Sequence, residues 1–457
     1  MTVAKGDQAP TSATKYYKSI KSVRDTTGQV YEYVVKHNEG NYYILDLNKM
    51  KNVADFVCND IIKKNYPRGN YQDIPPHGRW QHLNYGSTEP RLEKLIKSWK
   101  NDAKYDDIEI SRKLIDLIVF SVLVDAGAGN LWKFTDPETK EKIGRSEGLA
   151  IASYYLFVTG KFSNDKDNYK VNGSKLMSWT MDDFVKGFQV DPEKNPLSGC
   201  DGRLKLIQNL GMALISNKEI FGEDGRPGNI VDYLYKNSEP NGAKNNQNVI
   251  DLNLLWDTLM TGLTSIWPKG RISIGGESIG DAWFLDTKTL ADKKAGVGND
   301  DKDIGVVTFH KLTQWLCYSL IFPLETYGYK FVIENKALQT GLPEYRNGGL
   351  FYDFGVLTLK TDVLKRGLEL TKSLNPSYSL DIPTYKPEDG AIVEWRCLTI
   401  GLLDHLLPMV NERLGFEFSL PQLIEAGSWK GGREIAAIKR PKTKGPPIEL
   451  FSDGTVF

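Results

Sequence analysis

Apolar residues recur at helical spacing along most of the chain, and the stripes they form set the expected elements. From Asn48 onward Val53, Phe56, Val57, Ile61 and Ile62 fall on one face, which predicts a helix that Tyr66-Pro67 ends. Residues 111–125 (SRKLIDLIVFSVLVD) are apolar nearly all round, the pattern of a buried central helix. Residues 145–160 (RSEGLAIASYYLFVTG) predict another helix, with Ser146 as N-cap and Gly160 as stop. Further helical stripes cover 204–215, 251–267, 309–320, 361–374 and 388–415. Alternation is scarcer. Residues 29–47 alternate around Asn38-Glu39-Gly40 and predict a small hairpin or extended arm, and the glycine-containing stretch 270–283 predicts a compact extended element. The fold class is therefore mainly α, a large helical globular fold with minor extended or β elements. Residues 1–14 read as a disordered lead and 15–457 as a single large helical domain, divisible into two lobes near 240–300, where the Asn-rich stretch 238–248 marks a surface linker.

One stretch departs from the apolar background. Residues 309–357 carry His310, Lys311 and Gln314 at the head of a helix, then Glu344, Arg346 and Asp353 around a glycine loop. Charges this dense in apolar sequence are costly to bury without partners, so a binding cleft is expected. Other segments supply further walls. The loop at 74–83 (IPPHGRWQHL), stiffened by two prolines, presents His77, Arg79 and His82, while Asp281 and Trp283 end the extended element. Glu394 and Arg396 head the 388–415 helix, but at that spacing they cannot share a face, so their partners must lie elsewhere. Asp125, at the unfavourable end of a helix dipole, is either a turn-forming acid or a contributor to the cleft. Carboxylates beside a partly dry polar pocket suit N-glycosidic bond hydrolysis, with Arg and Lys clamping phosphate or polarising a carbonyl; structural ion pairing explains the same charges equally well.

Composition narrows the classes. Lys+Arg and Asp+Glu both number 58, which argues against a nucleic-acid protein but permits a pocket for one small phosphate. Ten Trp and twenty-two Tyr exceed what a core needs and suit the lining of a polar-ligand pocket. Cys58, Cys200, Cys317 and Cys397 lie far apart without a CxxC pair, so reduced thiols and a cytoplasmic location are expected. The N-terminal residues lack an apolar signal-peptide core, and the longest apolar run, 114–124, carries Asp116 and is too short to span a bilayer, so no membrane association is expected. GxGxxG after a strand, GxxxxGK[ST] and GxSxG are all missing. His77 and His82 leave a metal alternative, but two histidines without an HExxH or facial-triad pattern do not make a site, and no cofactor is expected.

The strings DAGAG (125–129) with Trp132, RSEGLA (145–150), FHKLTQWL (309–316), GLPEYRNGGL (341–350), EWRCLT (394–399) and SDGTVF (452–457) resemble the signatures of one family. It is the uracil catabolism protein four family of fungi and bacteria, whose His-x-Arg-Trp-x-His segment the loop HGRWQHL (77–83) also resembles. The resemblance covers about residues 42–457. It implies a pyrimidine-degradation route in which a partner resembling GTP cyclohydrolase II opens the uracil ring of a ribonucleotide and urea is released. The step left for this chain is cleavage of urea from ribosylurea or its 5-phosphate. A fainter similarity to helical queuosine-nucleotide N-glycosylases points to the same reaction, except that an aspartate stands there near the position of Phe309. The expected catalytic acids are then Glu344 and Asp353, with Asp281 in reserve. His310, Lys311, Gln314, Arg346, Glu394, Arg396, His77 and Arg79 are the expected substrate or phosphate contacts, and Trp283 or Trp315 would flank the urea. The alternatives are a metal-dependent amidohydrolase using His77 and His82, and a non-enzymatic carrier for the ring-opening partner.

Overall fold

The computed structural model describes residues 12–125, 127–129, 131–240, 247–266, 271–297, 303–375 and 381–451. Among these, helices dominate, and the strands form only small sheets of two or three. The fold is mainly α, as the apolar spacing indicates.

The Asp107–Leu123 helix lies at the centre. Asp106 caps it by accepting from the Glu109 N–H at 2.7 Å, and Leu114, Ile115, Leu117 and Ile118 are buried on all sides. Its charged residues are buried too, but each has partners. Lys113 Nζ donates to the Tyr169 carbonyl at 2.6 Å, while Asp116 accepts from Arg226 at 2.8 Å and from the Gly228 N–H at 2.7 Å. The Arg145–Val158 and Lys311–Thr326 helices pack against this one. The longest helix, Gly390–Leu414, packs on Ile20–His37 and on Tyr345–Asp353. Buried apolar residues from Ile20 to Ile448 join in one cluster, into which Leu252–Leu263, from the stretch where two lobes would meet, also packs.

Two expected elements differ. Residues 29–37, the first half of the 29–47 stretch, belong to the Ile20–His37 helix and not to a hairpin. Ile20, Val23, Val30 and Val34 are fully buried along one side, so the helical period outweighs the β-branched content of the segment. Only after Asn38, in the left-handed conformation with φ 58°, does the chain extend, and Tyr43–Leu45 pairs antiparallel with Leu357–Leu359. The expected disordered lead is the second case. Residues 1–11 lie outside the described ones, but Ser12–Lys18 is a helix whose Thr14 is fully buried and donates to the Ile274 carbonyl at 3.1 Å. The extended element at 270–283 holds as two short pairings: Ser273–Ile274 with Glu277–Ser278, and Ala282–Phe284 with Val306–Thr308.

Glu394 ties the long helix to the segment that follows Ile20–His37. Its carboxylate accepts from the N–H groups of Asn41 (2.9 Å), Tyr42 (3.1 Å) and Tyr43 (3.0 Å) and from the Thr287 hydroxyl. It is therefore a structural anchor and not the substrate contact that its position in the sequence suggests. Three N–H donors that no sheet satisfies require a buried acceptor here. Glu394→Ala should cost about 3 kcal/mol or more, since each orphaned buried donor costs on the order of 1–3 kcal/mol. Urea unfolding checks this, and an unchanged midpoint would refute the anchor.

Candidate active site

Three helices begin at one place. The first turns of Arg145–Val158, Lys311–Thr326 and Tyr345–Asp353 all line a single cavity of about 660 Å³. Glycines allow the crowding. A Cβ on Gly432 would collide with the Arg346 carbonyl, and one on Gly348 would come within 2.6 Å of the Thr399 hydroxyl. Tyr345–Asp353 thus nests tightly between Trp429–Lys439 and Gly390–Leu414.

Asp281 sets the head of the Lys311–Thr326 helix. Its carboxylate takes both Arg396 guanidinium nitrogens at 2.9 and 2.7 Å, the Trp283 indole N–H at 2.7 Å and the Lys311 backbone N–H at 3.0 Å. Burial alone would push this carboxyl up, but Arg396 outweighs it and holds the group well below the usual carboxylate range. Asp281 is a permanently charged strut, not the reserve catalytic acid, and Trp283 is bound to it and lies off the cavity wall. Arg396 also lies over the Phe309 ring, 3.8 Å from its centroid, so Phe309 serves that cation. Neither His310 nor Gln314 reaches the cavity. His310, at φ 44° before the helix, contacts the Tyr17 carbonyl through Nε2 at 2.7 Å, and Gln314 donates to the Thr340 hydroxyl at 3.0 Å. Asp353 is clamped by Arg440 at 2.8 and 2.6 Å and also lies off the wall, so it is no catalytic candidate either.

Glu344 and Lys311 do face the cavity. Glu344 caps the Tyr345–Asp353 helix, accepting from the Arg346 and Asn347 N–H groups at 2.8 and 2.7 Å. Burial raises its pKa above the ordinary 4.5; Lys311 and the two N–H groups oppose this without cancelling it. Burial likewise lowers the pKa of Lys311, with Glu344 acting against the shift. A second acid on the wall is Asp125, whose contribution the sequence leaves open. It pairs with Arg79 at 2.8 Å and accepts from the Ser146 hydroxyl at 2.6 Å and the Trp315 indole at 3.2 Å. Ser146 is not the expected N-cap, since Gly144 holds that position and leaves the hydroxyl free to bind Asp125. Arg79, fully buried, stands behind Asp125 and is held by Ser121 and Ser146, so it positions the acid and does not meet substrate.

His77, His82, Trp315 and Trp429 pack into an aromatic wall, with ring centroids 4.8–6.0 Å apart. His77 Nδ1 binds Glu425 at 2.6 Å. His82 Nδ1 meets Arg79 Nη1 at 3.3 Å; arginine only donates, so Nδ1 accepts and the proton sits on Nε2, which has no partner among the described residues. Both rings have one nitrogen committed to the protein, and among the described residues no three His, Cys, Asp or Glu side chains gather as a metal would require. The sequence reading missed Trp429 and Glu425. Glu425 lies within a π-helical turn, Ile424–Ser428, and Trp429 directly follows it, inside a continuous helix from Leu420 to Lys439; the one available signal was the ordered glycine and charge of the C-terminal region. The string at 452–457 lies outside the described residues.

The site is therefore a pocket of the kind that takes a small polar molecule: a partly open cavity whose wall carries the carboxylates of Asp125, Glu147, Glu344 and Glu449, with cations and an aromatic face. Residues 16–457 match a family model described as a protein of unknown function, DUF1688, and the chain belongs to that family. It is 63% identical over 446 residues to "Uracil catabolism protein 4" of Lachancea kluyveri, covering 97% of this chain and 98% of that protein. It is 42% identical over 420 residues to "Protein urg3" of Schizosaccharomyces pombe, covering 91% and 92%. No described helix is long and apolar enough to cross a membrane.

Burial, with Arg79 and His77 adding to it, holds the His82 pKa well below 6.5. The unfolded chain then takes up a proton there that the folded one refuses, so stability falls as pH drops below about 6.5, by at most about 1.4 kcal/mol per pH unit. Urea unfolding between pH 7 and pH 5 should show a gentler fall for His82→Gln than for the wild type. Parallel curves would count against a buried neutral His82.

Proposed function

We propose that this protein acts in uracil breakdown as a hydrolase that splits the N-glycosidic bond of a ring-opened uracil ribonucleotide, releasing urea from ribosylurea or its 5-phosphate. A ring-opening enzyme resembling GTP cyclohydrolase II would supply that substrate. The relative named for uracil catabolism supports the pathway. The observation that carries the reaction is that Glu344 and Asp125, although each is also held within the protein, line the cavity, whereas Asp281, Asp353 and Glu394 lie off its wall.

The chemistry follows from the two environments. Glu344, with its pKa raised by burial, is suited to hold a proton and give it to the departing urea nitrogen as the bond to the anomeric carbon breaks. Asp125, hydrogen-bonded by Ser146 and Trp315, offers negative charge to the oxocarbenium-like centre. Water then adds to that carbon and returns a proton to Glu344, so atoms and charge balance. The aromatic wall of Trp315 and Trp429 keeps bulk water away from the cation.

Incubation of the purified protein with ribosylurea and with its 5-phosphate, followed by urea assay, tests this. Urea should appear well above the uncatalysed rate, and Glu344→Gln should lower kcat by about 10²–10⁴-fold with little change in KM. Activity should decline as pH rises past the elevated Glu344 pKa, above 4.5, and the residual rate of Glu344→Gln should lose that limb. No urea from either compound would end the glycosidase reading.

A further inference from the structure

Nearly every buried charge in this chain has a partner. Arg79 has Asp125, Arg91 has Asp136, Arg226 has Asp116 and Glu109, and Arg396 has Asp281. Two cations on the cavity wall do not. Arg346 is 4% exposed, yet among the described residues its guanidinium has no hydrogen-bond acceptor and no direct ion pair; it lies over the Tyr345 ring, 4.8 Å from its centroid. Lys311 Nζ, also on the wall, likewise has no hydrogen-bond acceptor among the described residues, and Glu344 acts on it only beyond direct ion-pair distance. Both flank Glu344, whose carboxylate is already engaged by two backbone N–H groups.

A guanidinium lined up on a cavity wall, with no direct acceptor and with its nearest acid, Glu344, already taken up by two backbone N–H groups, is poised for an anion that arrives from outside. The helix starts favour the same sign of charge, although their own N–H groups are already capped, by Glu344 at one and by Asp281 at the other. The free groups are therefore the two side chains. A guanidinium presents a planar fork to tetrahedral oxygens and an ammonium a point charge, and together they match a phosphate monoester. A partly desolvated Lys311 gains most from a dianion, because a neighbouring negative charge restores its ordinary basicity.

We propose that Arg346 and Lys311 form the phosphate subsite of the cavity, so that the substrate enters as a sugar phosphate and not as a free nucleoside. The identity of that sugar phosphate rests on the N-glycosidase reading above; the anion site does not.

Calorimetric titration with ribose 5-phosphate, ribose and propionate separates the cases. The wild type should bind ribose 5-phosphate about 100-fold more tightly than ribose, and propionate should not displace it. Arg346→Met and Lys311→Met should each lose about 30-fold or more toward ribose 5-phosphate while binding ribose as before. Each variant should also melt at the same or a higher temperature than the ligand-free wild type, because a cation without a direct hydrogen-bond or ion-pair partner has been removed. Equal affinity for ribose and ribose 5-phosphate, wild-type affinity in both variants, or displacement by propionate on equal terms would overturn the proposal. So would lower melting temperatures in both variants, which would make the pair structural. A protein that binds ribose 5-phosphate in this way but frees no urea would uphold the anion site and sink only the glycosidase reading.

Discussion

The bidentate ion pair between Asp281 and Arg396 holds the rest of the site in place. It joins the long Gly390–Leu414 helix to the segment that leads into Lys311–Thr326. The same aspartate accepts the Lys311 N–H, and its carbonyl receives the Phe309 N–H at 2.9 Å. A pair this deep has little water to screen it, so its strength lies in its geometry and in the two further donors that satisfy the carboxylate. Loss of either partner would leave a buried charge at the junction of two core helices.

The charged cluster divides into groups that hold the fold and groups that face ligand space. Sequence alone cannot make that division, because both kinds occur as acids and bases in apolar surroundings. Asp353 looks as catalytic in the sequence as Glu344 does, and Glu394 looks as suited to meet substrate; the remote Arg440 and the backbone N–H groups at 41–43 decide otherwise. What the spacing did show is that Glu394 and Arg396 need separate partners, and each has one more than a hundred positions away.

Helical periodicity was legible wherever a segment buries a continuous stripe, as in Asp107–Leu123 and Gly390–Leu414. It was obscured in Ile20–His37, where tyrosines and valines mimic alternation although the buried residues follow a 3.6 period. The cavity was legible in part. Lys311, Glu344, Arg346, His77 and Trp315 stand on its wall, whereas His310, Gln314 and Trp283 sit one layer behind it. Neighbours in sequence on a helix point about 100° apart, so proximity along the chain does not choose which of them meets a ligand.

The π-helical turn at Ile424–Ser428 has a consequence for how the helix beyond it is oriented. Its partner is a second π-helical stretch, Phe56–Ile62, and Gly427 packs on Val57 where the two meet. Each wide turn holds a residue more than an α-helical turn and so shifts the phase of everything beyond it. Drawing that turn into a regular α-helix with the same number of residues would swing the following face by about 100°. Trp429 would leave the aromatic wall and Gly432 would leave its contact with Arg346. The orientation of this helix therefore depends on what keeps the turn wide, the Gly427–Val57 packing included, more than on its own exposed residues.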